Sequence, residues 1–256
     1  MDQSCLEVVE EFNTHGFAKV QLRSLVELQK VRRMYAELVR KFSDQNSMEA
    51  CLPAALERFH ELHLPTDLNT FRLRLISELN DIDCFNSQLF LDPLPTIIEH
   101  LLGPDLLIQR HVNLVIQRPR DVDNAELHSD FPTNSAFEIV VWVPMVDCEK
   151  SNGIYLQNLA QTKSMINELE ESEGKSWARV KAKVEEDAIG IPVSFGECLI
   201  FMTPLFHGSK INTSNETRTS FNYRVKGMFS PCGKKDPFSF WEIAKISAFT
   251  KTALGF

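Results

Sequence analysis

The chain lacks a basic excess. Lys and Arg number 27 against 35 Asp and Glu, a formal net charge of -8 with a pI near 5.4. Nucleic acids and anionic membranes both select for a positive surface, so neither is expected as a partner. A local basic pocket for a small anion remains compatible with this balance. The chain also lacks any apolar run approaching the roughly 18 residues a membrane span requires, so no integral membrane association is expected. The opening Met1-Asp2-Gln3-Ser4-Cys5 has no basic start and no apolar stretch, and does not read as a signal peptide. Paired cysteines are missing as well. Cys5, Cys51, Cys84, Cys148, Cys198 and Cys232 are scattered without a CxxC. That spacing argues against a disulfide framework or a structural zinc site and fits reduced thiols in a cytoplasm. No internal repeat and no low-complexity segment is found.

What is present is an ordinary globular composition, 43 % hydrophobic over 256 residues, enough for one large domain with a sizeable core. The first hundred residues read as mainly helical. Val20–Phe42 repeats apolar residues at Leu25, Leu28, Val31, Tyr35, Leu38 and Val39, a spacing near the helical period. Further helices are expected over Ala54–His63, Thr70–Leu79 and Leu94–Leu102, the last stopped by Gly103-Pro104. From there the character changes. Leu106–Gln117 alternates, Ala136–Val143 is a plain strand, Gly153–Gln157 and Ile191–Val193 read as short strands, and Glu197–Met202 and Thr219–Phe229 as longer ones. Lys163–Glu186 is a charged, helical insertion between them. Short strands separated by turns predict a β-sandwich or barrel, and helices gathered beside it make an α+β domain. No linker divides the chain, so a single domain over 1–256 is expected, with a helical flank to 104, a β core over 105–229 and an extension over 230–256.

The chemistry begins at His128-Ser129-Asp130. In extended chain, residues i and i+2 point to the same side, so an imidazole and a carboxylate are offered to one point. One more ligand would complete a two-histidine, one-carboxylate set, which leaves three positions open on an octahedral iron(II). Alone, an HxD is a weak signal. His207 follows an apolar strand 77 residues beyond Asp130, and Arg218 lies eleven residues past His207, in Arg218-Thr219-Ser220. Alternation puts Arg218 and Ser220 on one strand face. A guanidinium grips a carboxylate with two parallel bonds, and the hydroxyl adds a third. Arg224 would share that face and competes for the role. His60-Glu61-Leu62-His63 does not have the spacing of an HExxH metal helix and reads as a solvated helix end.

With these residues in place, the chain resembles the phytanoyl-CoA dioxygenase family of iron- and 2-oxoglutarate-dependent oxygenases. The segments His128-Ser129-Asp130-Phe131, Ser151-Asn152-Gly153, His207-Gly208-Ser209 and Arg218-Thr219-Ser220 are similar in detail to the bacterial ectoine hydroxylases within it. The resemblance implies a double-stranded β-helix, or jelly roll, with flanking helices. It implies Fe(II) held by His128, Asp130 and His207. It further implies 2-oxoglutarate clamped by Arg218 and Ser220, with Gln109 and Asn113 near its carboxylates, and O2 as the oxidant. A small-molecule substrate is the expected partner, with a homodimer left open. Where many relatives read Pro-Gly-Ser-His, this chain has Gln157-Asn158-Leu159-Ala160-Gln161-Thr162, so the substrate is not carried over. The expected outcome is hydroxylation of a small polar metabolite or a sugar, including a sugar acid of a bacterial surface glycan. The alternative is a non-oxidative metal-binding jelly roll, such as a cupin-like isomerase or a sensor, which would have no need for Arg218-Thr219-Ser220.

Overall fold

The structure is a computed structural model describing residues 3–43, 53–82, 85, 88–94, 96–122 and 126–255. Its centre is a seven-stranded antiparallel sheet facing a three-stranded one. This is the jelly roll with flanking helices that the family resemblance implies. Helix α1 (Gln3–His15) leads into β1 (Phe17–Gln21), and α2 (Val26–Phe42) follows. The helix expected from Val20 therefore starts six residues later. In β1 every second residue is buried, Ala18 and Val20 inward, and the strand pairs with Glu197–Met202. A period of two wins there because the sheet edge supplies partners for its backbone. The predicted stripe of α2 is otherwise buried from Leu28 to Val39, while Leu25 is exposed just ahead of the helix.

The helix expected over Ala54–His63 is a 3-10 helix over Pro53–Glu61, and α3 (Leu68–Asn80), α4 (Gln88–Leu91) and α5 (Ile97–Leu102) complete the flank. The single strand expected over Leu106–Gln117 is two, β2 (Leu106–Gln109) and β3 (Asn113–Gln117). Both lie along the same edge of the long strand β9 (Arg218–Gly227). Between them the chain bends away, and the Arg110 amide bonds to Phe240 O at 2.9 Å. Strand β4 (Glu138–Pro144) is buried at every residue and sits between β9 and β7 (Glu197–Met202). The small sheet is β6 (Ile189–Ile191), β5 (Ile154–Leu156) and β8 (His207–Gly208).

The charged insertion is two helices, α6 (Leu159–Glu171) and α7 (Trp177–Asp187). Helix α6 begins four residues before the expected Lys163 because Asn158 and Gln161 cap it reciprocally, each side chain bonding the other's backbone amide at 2.9 Å. Their buried faces form a small second core of Met165, Val180 and Val184 with Leu127 and Phe206. The extension past Ser230 also has a place. Helix α8 (Pro237–Phe240), β10 (Trp241–Lys245) and α9 (Ala248–Leu254) follow in turn, and β10 pairs with β2 at the sheet edge. Asp105 accepts bonds from Ser247 N, Ser247 Oγ and Thr250 Oγ1, which ties α9 down. No described helix is long and apolar enough to cross a membrane.

Candidate metal centre

Two chain segments far apart in sequence meet at the site by their backbones. His128 and His207 form an isolated antiparallel bridge, each amide donating to the other's carbonyl at 2.8 Å. This places their rings side by side, 4.6 Å between centroids. Gly208 permits the approach, since a Cβ there would stand 2.7 Å from Glu126 O. Each ring is then oriented by its own Nδ1, which lies 2.7 Å from Glu126 O in His128 and 2.9 Å from Leu205 O in His207. A carbonyl oxygen can only accept, so each Nδ1 carries the proton and each Nε2 keeps its lone pair for a ligand. Asp130 joins them with Oδ1 3.7 Å from His128 Nε2 and Oδ2 4.0 Å from His207 Nε2. Its backbone is held by Asp130 N donating to Thr203 O at 3.1 Å.

The ligand atoms of His128, Asp130 and His207 all lie within 4.8 Å of one another. Two neutral imidazoles and one carboxylate on one side of a point are the donor set of a facial site with open positions. The charge states suit this. Burial pushes His207 down to about 4, with Asp130 pulling the other way, so the ring is unprotonated at neutral pH. Burial disfavours the Asp130 carboxylate, yet Arg224 and His207 outweigh it and its pKa ends below the ordinary value.

These residues open onto a cavity of about 250 Å³. Arg218, only 1 % exposed, lines the same cavity. Its Nη1 donates to Gly153 O at 2.7 Å and Asn152 O at 3.3 Å, and its Nη2 to Ser209 Oγ at 2.6 Å. Its Nε is buried without a partner, and no carboxylate pairs with it among the described residues. Burial lowers its pKa to about 10, so it stays charged at neutral pH. A buried cation lacking a counter-ion is costly unless an anion arrives. Trp142 and Ile154 add apolar surface to the same cavity, with the guanidinium 5.8 Å from the Trp142 ring centre. Ser220 lies one alternation along β9, its hydroxyl buried and unpartnered, and it is not among the residues lining the cavity.

The remaining sequence-selected residues divide. Asn113 is on the cavity wall and donates through Nδ2 to Asn222 Oδ1 at 3.0 Å. Gln109 is not on the wall. Its Oε1 accepts from Arg224 Nη1 at 3.1 Å and its Nε2 donates to His111 O at 2.5 Å. Arg224 lines the cavity, and its Nη2 donates to Asp130 Oδ2 at 2.5 Å. The sequence weighs Arg224 only as a rival clamp. Its contact with Asp130 depends on a long-range fold and left no local signal beyond sharing the Arg218 face.

Comparison with known proteins agrees with this fold. The structure of AviO1 from Streptomyces viridochromogenes Tue57 is 14 % identical, with 91 % of this chain and 99 % of that one covered and a TM-score of 0.59. SnoK, a non-heme alpha ketoglutarate dependent carbocyclase from nogalamycin biosynthesis, is 13 % identical, with 94 % and 95 % covered and a TM-score of 0.53. HygX from Streptomyces hygroscopicus, with nickel and 2-oxoglutarate bound, is 11 % identical, with 90 % and 88 % covered and a TM-score of 0.50. At these identities the likeness is one of fold. No curated protein matches the chain by sequence. The family model of phytanoyl-CoA dioxygenase (PhyH) matches residues 12–220, from α1 through both histidines to Ser220, and the chain belongs to that family.

Proposed function

We propose that this chain is an Fe(II)- and 2-oxoglutarate-dependent dioxygenase that hydroxylates a small polar metabolite or a sugar. The observation that carries the reading is Arg218, a buried cation without an anionic partner in the same cavity as the His128, Asp130 and His207 triad. A metal site alone would fit a cupin-like isomerase or a sensor. A second, buried positive charge calls for a ligand with a carboxylate at its far end.

His128, Asp130 and His207 would hold iron(II). Bound there with 2-oxoglutarate and O2, the metal would supply oxidative decarboxylation to succinate and CO2 coupled to substrate oxidation. The chain's own residues position the reactants. Arg218 neutralises the distal carboxylate, with Ser209 beside it on the cavity wall, and the Ser220 hydroxyl, buried without a partner but off that wall, would reach the carboxylate only after a local shift. Trp142, Ile154 and Phe201 line the cavity with apolar surface and keep water from the reacting centre. Asn113 and Asn222 offer amides at the wall, suited to hydroxyl-bearing ligands. The HygX structure was solved with nickel and 2-oxoglutarate, which supports the same pairing here.

The test adds Fe(II) and 2-oxoglutarate under air to the protein and to Asp130→Ala. Succinate should form with the parent, and the variant should not retain iron. Absence of 2-oxoglutarate binding to the metal-loaded parent would overturn the reading.

A further inference from the structure

The wall of the cavity carries a second arginine that the proposed chemistry does not use. Arg224 is 12 % exposed in its side chain, as is Asp130. It stands on β9 opposite Val140 of β4. One end of its guanidinium takes Asp130 Oδ2, and the other is fixed by Gln109 Oε1, which is itself anchored through Gln109 Nε2 to His111 O. A relay thus runs from the bend between β2 and β3 to one oxygen of the metal-site carboxylate.

We infer that Arg224 is a positioning residue that restricts Asp130 to a single-oxygen donor, and so keeps open the third coordination position that 2-oxoglutarate and O2 together require. The inference rests on the function proposed above. A carboxylate can ligate a metal through one oxygen or through both. With two imidazoles and one carboxylate oxygen, an octahedral ion has three positions left. With both oxygens bound it has two, which a chelating 2-oxo acid would fill. Oδ2 is committed to a cation, and a cation beside it repels a metal ion there. Both oxygens border the ligand nitrogens, Oδ1 3.7 Å from His128 Nε2 and Oδ2 4.0 Å from His207 Nε2, and the Arg224 bond to Oδ2 leaves Oδ1 as the free donor. The guanidinium suits the task because it presents fixed, planar donors to two acceptors at once, which an ammonium on a flexible stem does not.

The experiment compares the parent with Arg224→Leu, Arg224→Lys and Arg218→Gln, each loaded with Ni(II), which does not turn over. Nickel per chain after desalting, the affinity for 2-oxoglutarate by titration calorimetry, and nitric oxide binding to the anaerobic Fe(II) and 2-oxoglutarate complex by its electron paramagnetic resonance signal are measured separately. Arg224→Leu should keep about one nickel per chain and still bind 2-oxoglutarate, and its anaerobic Fe(II) and 2-oxoglutarate complex should bind nitric oxide, a stand-in for O2, at least tenfold more weakly than the parent's. Arg224→Lys should recover part of that loss. Arg218→Gln should keep nickel and lose 2-oxoglutarate, marking the other end of the ligand. Unchanged nitric oxide affinity in Arg224→Leu overturns the inference. So does loss of nickel to the level of Asp130→Ala, since Arg224 would then be needed for Asp130 to ligate at all. If Arg224→Leu does not fold, Arg224→Lys decides alone, and nitric oxide affinity equal to the parent's counts against the inference. A nickel-loaded parent that binds no 2-oxoglutarate would instead sink the proposed function.

Discussion

Arg218 sits where stability and function pull in opposite directions. Its charge is buried against carbonyls, a hydroxyl and an aromatic ring rather than a carboxylate. Replacing a buried, uncompensated charge by an apolar group of similar volume is often neutral or stabilising. Arg218→Met should therefore melt no lower than the parent in the absence of 2-oxoglutarate, while losing its affinity for that ligand. Charge-assisted hydrogen bonds contribute about 1.5–3 kcal/mol each, so the loss should be about tenfold or greater. Calorimetry of both properties on one preparation checks the pair. His207 gives a pH dependence of defined sign. Its folded pKa, about 4, lies below the ordinary 6.5 because of burial, so between those values the unfolded chain binds a proton that the folded one does not. Metal-free stability should be complete above pH 6.5 and fall as pH drops from 6.5 toward 4. Urea melts of the metal-free protein at several pH values would show it, and a flat profile would mean the ring is not held neutral.

At the scale of elements, the helical insertion has more to do than its charge pattern suggests. Glu168–Glu173 reads as a solvated face, and the run is largely on the surface. The opposite faces of α6 and α7, however, bury Met165, Val180 and Val184 against Leu127 and Phe206. Those last two residues immediately precede the histidines of the metal site. Met165→Ala should cost about 2–5 kcal/mol, as truncation of a buried methionine does, and should weaken nickel retention because it loosens the packing behind both ligands. A variant that loses stability and keeps its metal affinity would separate the two. The C-terminal extension offered no recognisable pattern, because a short strand at a sheet edge is specified by its partner, β2, more than by its own residues. Asp105→Ala should speed hydrogen exchange over 241–254 while leaving the centre of the sheet protected, since Asp105 holds Ser247 and Thr250 in place.

For the whole molecule, ligands that bind only the folded chain should raise its melting temperature. Nickel or 2-oxoglutarate at a hundred times its dissociation constant adds about 2.7 kcal/mol. For a chain of this size each kcal/mol is worth about 2–4 °C. The parent should respond to nickel and then again to 2-oxoglutarate, and Arg218→Gln to nickel only. Much of this architecture is legible in the sequence. Strand β7 is read to the residue, and His128, Asp130, His207 and Arg218 were selected from spacing and come together around one cavity. What escaped is non-local. Strand β1 was absorbed into a helix because Val20 fits both periods, and only β7 decides between them. The break at 110–112 depends on an amide bonded to Phe240 O. The Arg224 contact with Asp130 joins residues with no sequence relation at all.

The bridge between His128 and His207 has a consequence for when the metal can be acquired. It is made of main-chain bonds between segments almost eighty positions apart. An unfolded or partly synthesised chain presents one histidine and one carboxylate, a poor trap for a divalent ion. The ion therefore cannot template folding as zinc does in a small finger domain. Tight capture begins only once β8 has docked beside Leu127 and His128, and slow assembly of long-range pairings precedes it. Metal uptake followed in real time during refolding would then lag behind recovery of the β-sheet signal. The chain would behave as a finished vessel that is filled afterwards.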